Sequence, residues 1–421
     1  MPWGCTMDQK TGPQEAGFQL AIPRWEFISL AAALMAMNAL AVDVMLPGLQ
    51  QIGSSLGVED ENHRQFVITA YILGFGAAQL LYGPISDRYG RRPPLLVGLA
   101  IYVGAALAAV FAPSFGMLLA LRFTQGVGAA ATRVIAVSFV RDVFGGRRMA
   151  EVMSLVFMVF MVIPVVAPAV GQLIMVFSEW HMIFIFMAAI CAVVAVWAAL
   201  RMPETMHPEY RRPLTFDAII GGFGIVLRTR VSLFYTLATT VTFGGLFGFI
   251  NSAQQIYVGI YGLGVWFPAL FACIAGMMAI SSFLNSRLVG RIGMRRLSHG
   301  ALIGYVAINT ILLLVALAGP IPLWLFVLLF AAAMVQFGWI GSNFNSIAME
   351  PLGHVAGTAS STLGFTQTLG GGAIGAVIGL LFDGTVLPLA MGFCIVSVLA
   401  LMFVLIGENG KLFQAHEKPI H

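Results

Sequence analysis

Gly83-Pro84-Ile85-Ser86-Asp87-Arg88-Tyr89-Gly90-Arg91-Arg92-Pro93-Pro94 is a tight, charged connector between two long apolar runs. Its surroundings carry almost no charge. The 421 residues are 59% hydrophobic and 10% charged, with a mean hydropathy of +0.91, whereas a soluble domain carries about 25% charged residues. Apolar runs of roughly 18 to 25 residues recur along the chain, each long enough at 1.5 Å per residue to cross a hydrocarbon core of about 30 Å. The chain therefore reads as an all-α, polytopic membrane protein.

Outward from the connector, the runs read as spans over Trp25 to Leu46, Phe66 to Ile85, Leu95 to Ala112, Phe115 to Phe139, Met153 to Phe177 and Met182 to Ala199. Six more cover Val231 to Tyr257, Phe267 to Phe283, Leu297 to Leu317, Leu323 to Asn343, Gly357 to Leu381 and Val386 to Ile406. Between the sets lies a long polar stretch rich in proline and arginine. The expected division is an N-terminal segment 1–24, a six-helix bundle 25–200, a linker 201–230, a second six-helix bundle 231–406 and a tail 407–421. Short cytoplasmic loops retain Lys and Arg. Of 22 basic residues, all but Arg64, Arg122 and Arg133 fall on one side, so segment, linker and tail are expected in the cytoplasm.

Ala39-Leu40-Ala41 has the small-x-small look of a signal cleavage site. The run is longer than a signal h-region, however, and its removal would break the even span count, so it is read as a retained first helix. Cys5, Cys191, Cys273 and Cys394 are too scattered for a disulfide framework, and neither they nor the seven histidines show metal-ligand spacing. No metal is expected. The net charge of +4 is accounted for by arginines facing anionic headgroups, without nucleic acid as a partner.

Through Gly83, Asp87, Arg88, Gly90, Arg91 and Arg92 the connector resembles the loop 2–3 signature of the major facilitator superfamily, G-x-x-x-D-R-x-G-R-R. Gly83 and Pro84 are expected to end or loosen span two, and Gly90 to allow a sharp turn. An imperfect copy, Gly290-Arg291-Ile292-Gly293-Met294-Arg295-Arg296, follows span eight without the aspartate; internal repeats are common in transporters. The resemblance implies a gating role for Asp87 against a neighbouring helix end. Its natural target is the start of span eleven, His354 to Ser360 around Gly357, where a helix N-terminus offers free N–H groups. A solvated loop charge that only sets topology is the alternative.

In span four, Arg122-Phe123-Thr124-Gln125-Gly126-Val127-Gly128-Ala129 is similar to the R-x-x-Q-G-x-G-A element of proton-coupled members. Arg122, Gln125, Gly126, Ala129 and Arg133 share one helical stripe, and a charge in a span costs about 2.5–3.5 kcal/mol on insertion scales, so a function or a partner is expected. Asp43 lies at similar depth near the external end of span one. A carboxyl whose distance to Arg122 or hydration changes between conformations can take up and release a proton; the alternative is a static buried pair. Arg133 has no acid at matching depth and is expected to reach carbonyls, water, acidic groups of a substrate or the inner interface. Glu26 reads as an interfacial charge.

Pro164, Pro168 and Gly171 in span five resemble the proline-glycine element of drug/proton antiporters in this superfamily. Asp43-Val44-Met45-Leu46-Pro47 and His354 to Ser361 extend the resemblance to the bicyclomycin/chloramphenicol resistance group. What it implies is an inner-membrane, multi-pass bacterial antiporter rather than an enzyme. It would export small amphipathic or cationic drugs by alternating access, in exchange for protons carried at Asp43 and Arg122. The expected partners are a small-molecule substrate, protons and the bilayer, with no cofactor besides the proton gradient, and the functional unit is a monomer. An exporter or symporter of an endogenous metabolite, or a non-transporting sensor, are the alternatives. Substrate-binding candidates between the halves are Tyr71, Gln79, Arg133, Asn251, Gln254, Gln255, Gln336, Trp339, Asn343 and Gln367.

Overall fold

In hydrocarbon every backbone N–H and C=O must find its partner within the segment, so long apolar runs fold as helices. A computed structural model describes residues 22–144, 146–206 and 224–414, with the backbone alone at 146–151, 153–155, 157–161 and 353–360. Most of the expected N-terminal segment and of the linker, and the end of the tail, lie outside the described residues. The long helices are α1 (Arg24–Asp43), α2 (Phe66–Tyr89), α3 (Arg92–Ala109), α4 (Phe115–Val143), α5 (Gly146–Phe177) and α6 (His181–Arg201). They continue as α7 (Arg230–Gln254), α8 (Phe267–Ile292), α9 (Met294–Ala318), α10 (Leu323–Met349), α11 (Ala356–Leu380) and α12 (Leu387–Gly407). Among the described residues, 11 segments are long and apolar enough to cross a membrane, and α5 adds the shorter apolar stretch Val162–Phe177.

Several helices outrun their apolar cores. α4 reaches Val143 and α10 reaches Met349, carrying polar ends beyond the apolar run. Gly83 and Pro84, expected to end or loosen span two, do not end it; α2 runs past the expected limit at Ile85 to Tyr89 and ends at Gly90, whose φ of +93° suits glycine. The Ser86 hydroxyl donates to the Gly83 carbonyl at 2.9 Å, about one turn back along the helix. α1 passes beyond Asp43 into a 3-10 turn at Leu46–Gly48 and a short helix, Leu49–Ser55. α7 is prolonged by a π-helical turn, Gln255–Ile260.

The contacts build two six-helix bundles with matching internal neighbours. In the first, α4 packs on α2 and α3, α1 on α5, and α3 on α6; in the second, α10 packs on α8 and α9, α7 on α11, and α9 on α12. Small residues make this close. A Cβ at Gly126 of α4 would strike the Tyr71 carbonyl of α2, and one at Gly74 of α2 would strike the Phe123 carbonyl of α4.

The bundles meet along α2–α11 and α5–α8. Their hydrogen bonds gather on the face opposite the basic loops. Asn62 donates to the carbonyls of Leu380 (3.1 Å) and Phe382 (2.7 Å) and accepts from Gln255 at 2.8 Å. Gln254 meets Gln50 and Asn251 meets Thr69, each at 3.5 Å. Deeper in, Gln79 donates to Thr368 at 3.1 Å.

Candidate functional site

Arg122 is fully buried in α4, and its fork is spent on specific acceptors. Nε donates to the Val67 carbonyl (3.1 Å), Nη1 to Gln125 (2.7 Å) and Nη2 to the Ala41 carbonyl (2.9 Å). The Tyr71 ring lies under the guanidinium at 4.6 Å and the Phe184 ring at 5.9 Å, so aromatic faces also offset the charge. The last carbonyls of a helix lack intrahelical donors. Ala41 is one of these in α1, which makes Arg122 a clamp on the end of α1, two residues before Asp43.

Asp43 is 4% exposed and, unlike the pairing expected from its depth, makes neither ion pair nor hydrogen bond with a described residue. The reason is geometric: the Arg122 donors face main-chain oxygens on α1 and α2. Beside Asp43, α5 packs so tightly that a Cβ on Gly171 would strike the Val44 carbonyl and sit 3.3 Å from Pro47. Pro164 and Pro168 lie inside the same helix. Gly171 of the proline-glycine element is thus brought directly against the backbone next to Asp43.

From Arg122 a polar chain leads inward. The Tyr71 hydroxyl donates to Asn38 (3.2 Å), whose amide donates to Thr132 (3.0 Å). Arg133 follows Thr132, is only part-buried, and makes no side-chain hydrogen bond or ion pair with a described residue. The remaining candidates separate. Gln79, Asn251, Gln254 and Gln255 join the two bundles. In the second bundle Gln367 donates to Asn345 (2.7 Å), Trp339 to the Ser281 carbonyl (2.8 Å) and Asn343 to Asn285 (2.7 Å). Gln336 turns away from that stripe toward Gly304 of α9.

At the basic face, buried Arg91 is the hub of the connector. It donates to Asp87 (2.6 Å), Asp142 (2.7 Å) and Ser86 (2.8 Å). Glu204 accepts the backbone N–H groups of Arg91 (2.8 Å) and Arg92 (3.0 Å), capping the start of α3. Arg92 also reaches the Ala199 carbonyl. Arg88 lies over the Tyr89 ring at 5.5 Å. Gly83 faces α11, where a Cβ would come 3.5 Å from the Ser361 hydroxyl. The side chains of His354 to Ser360, including the neighbourhood of Gly357 proposed as the target of Asp87, lie outside the described residues.

The sequence model of the Major Facilitator Superfamily matches residues 28–376. The chain belongs to the major facilitator superfamily. The bicyclomycin resistance protein homolog of Haemophilus influenzae is 33% identical over 382 residues, 90% of this chain and 96% of that one. The multidrug resistance protein MdtL of Escherichia coli is 29% identical over 94% of this chain and 99% of its own. Among solved structures, a bacterial homolog of the human lysosomal transporter Spinster aligns with a TM-score of 0.67 at 14% identity, covering 92% of this chain and 96% of that chain.

As a major facilitator the protein is a transporter rather than an enzyme, and a multi-pass inner-membrane protein. Its second bundle holds a counterpart of the Arg91 hub that sequence reasoning missed. Arg295, in the imperfect copy, bonds Glu350 (2.9 Å) and Glu408 (2.8 Å), and Glu408 also accepts from Tyr235 (2.8 Å). Tyr235 meets His299 at 2.7 Å, while Nδ1 of His299 accepts the Phe413 N–H at 3.0 Å. In each bundle, acids at the ends of the fourth and sixth helices gather around the basic loop: Asp142 and Glu204, then Glu350 and Glu408. Acids ending fourth and sixth spans next to a basic loop were the available signal.

Proposed function

We propose that this major facilitator is a proton-coupled exporter of small amphipathic compounds, working by alternating access with its basic face in the cytoplasm. The observation that carries the reading is Asp43, a buried carboxyl with no described partner, between the clamp at Arg122 and the close contact at Gly171. A carboxyl without a fixed partner is free to exchange a proton when its hydration changes. Loosening of the α1–α5 contact or of the outer closure would change that hydration, which would tie proton exchange at Asp43 to the conformation. The names of the bicyclomycin resistance and multidrug resistance relatives support a drug-like substrate.

The inter-bundle bonds at Asn62, Gln254 and Gln255 close the face opposite the basic loops, which leaves substrate to enter from the basic side. Rocking the bundles would break these bonds and bring the Asp87 end of α2 toward the start of α11. Asp87 is held by Arg91 with its side chain 38% exposed, so it remains open to a second partner there. The test is reconstitution into vesicles with a pH dye inside and a panel including bicyclomycin and chloramphenicol. Substrate addition should release lumenal protons as substrate enters. Co-uptake of protons with substrate, or substrate flux without proton movement, would overturn the reading.

A further inference from the structure

Two arginines share the stripe of α4, and the protein treats them oppositely. Arg122 is sealed, with each of its three guanidinium nitrogens bonded to a carbonyl or to Gln125. Arg133, three turns further in, is a part-buried residue whose side chain has no described acceptor. A guanidinium carries five N–H donors and no acceptor. Exposure to lipid at this depth would be costly, so its unpaired donors call for a polar partner.

Register fixes its level. α2 and α4 run parallel, with Gly126 against Tyr71 and Gly74 against Phe123, which carries Arg133 to the stretch of α2 between Ala78 and Pro84, beside Gln79. At that level Gln79 bonds Thr368 across the two bundles, and Gln367 bonds Asn345 next to it. These groups are neutral. Asp43 lies far toward the opposite face, Glu26 is taken by Arg201 (2.7 Å), and Asp142 by Arg91, so no described carboxylate neutralises the path.

We propose that Arg133 is the anion-recognising residue of the substrate path, and that the compounds exported carry a carboxylate or similar anionic group on an apolar body. This rests on the exporter reading and departs from the expectation of cationic drugs. A planar fork binds carboxylate in two parallel hydrogen bonds, which an ammonium does not reproduce.

The test uses the full chain in phosphatidylcholine nanodiscs without a gradient, with three fluorescent probes: dansylglycine, dansylglycinamide and dansylcadaverine. Dansylglycine should bind at least about tenfold more tightly than the amide or the amine, since one charge-assisted contact is worth about that factor. Arg133→Gln should erase the difference while leaving the amide within about twofold, which also reports an intact fold. Arg133→Lys should keep a reduced preference. Adding phosphatidylglycerol should leave dansylglycine affinity unchanged; displacement would assign Arg133 to a lipid phosphate and overturn the proposal. Equal binding of acid and amide, a preference surviving in Arg133→Gln, or no dansylglycine binding up to its solubility would likewise overturn it. Binding at equilibrium needs no proton coupling, so failure of the vesicle experiment above leaves this result readable on its own.

Discussion

Replacing Arg122 by lysine separates two reasons for a buried cation in α4. If only charge mattered, Arg122→Lys would preserve the protein. The structure argues otherwise, because Arg122 bonds three acceptors in three directions: Val67 at 3.1 Å, Gln125 at 2.7 Å and Ala41 at 2.9 Å. An ammonium on a shorter, unforked stem meets one of them well. Losing two hydrogen bonds to a charged group costs about 3–6 kcal/mol, and the burial cost of the cation remains. Arg122→Met loses all three, about 4.5–9 kcal/mol, but recovers about 2.5–3.5 kcal/mol of charge insertion. The two variants should therefore be similarly destabilised. At roughly 2–4 °C per kcal/mol for a bundle of this size, Arg122→Lys should melt about 6–24 °C below the parent in detergent and Arg122→Met about 2–26 °C below it, followed by intrinsic fluorescence. An Arg122→Lys protein melting within about 2 °C of the parent would refute the clamp on α1.

Three further perturbations probe other parts of the site. Asn62→Ala removes two carbonyl contacts and the partner of Gln255; at about 0.5–1.5 kcal/mol per bond it should raise outer-face labelling of an engineered cysteine about tenfold, and unchanged labelling would count against this closure. Gly171→Val puts a branched side chain where even a Cβ strikes the Val44 carbonyl; transport should fall at least about tenfold with the protein still inserted, and near-parental transport would show the α1–α5 contact to be dispensable. Arg91→Gln strips Asp87 and Asp142 of their shared cation. Since Asp87 is well exposed, the stability loss should stay near 1–3 kcal/mol, with a shift in accessibility at the basic face that Asp142→Asn reproduces; independence of the two variants would dissolve the hub.

How much was legible in the chain differs from residue to residue. The twelve spans, the connector and the buried stripe of α4 are written in hydropathy and charge, which act locally, so they could be read directly. Arg122 was recognisable as a residue needing partners, but its partners are carbonyls of Ala41 and Val67, and main-chain oxygens leave no mark in a sequence. That is why the side-chain acid at similar depth, Asp43, looked like the match. The hubs were invisible for another reason: Asp142 and Glu204, or Glu350 and Glu408, meet their arginines only when separate helices end at the same membrane face. Helix ends were misread where apolarity stops before the helix does, as at Ile85, short of the true end of α2 at Tyr89. The polar stripe of α10 split because neighbours on both sides, α8 and α9, compete for it: Trp339 and Asn343 face one, Gln336 the other.

Proton-driven counterflow through Asp43 is the central claim, and it is tested most directly in vesicles holding the parent or Asp43→Asn, with an imposed pH gradient and a transported compound. The parent should accumulate substrate against its concentration gradient and move protons the other way. Asp43→Asn keeps the shape of the side chain without a titratable group, so it should bind substrate and exchange it passively, with gradient-driven accumulation and linked proton flux both abolished. Accumulation and proton flux at parental levels in Asp43→Asn would contradict the assignment.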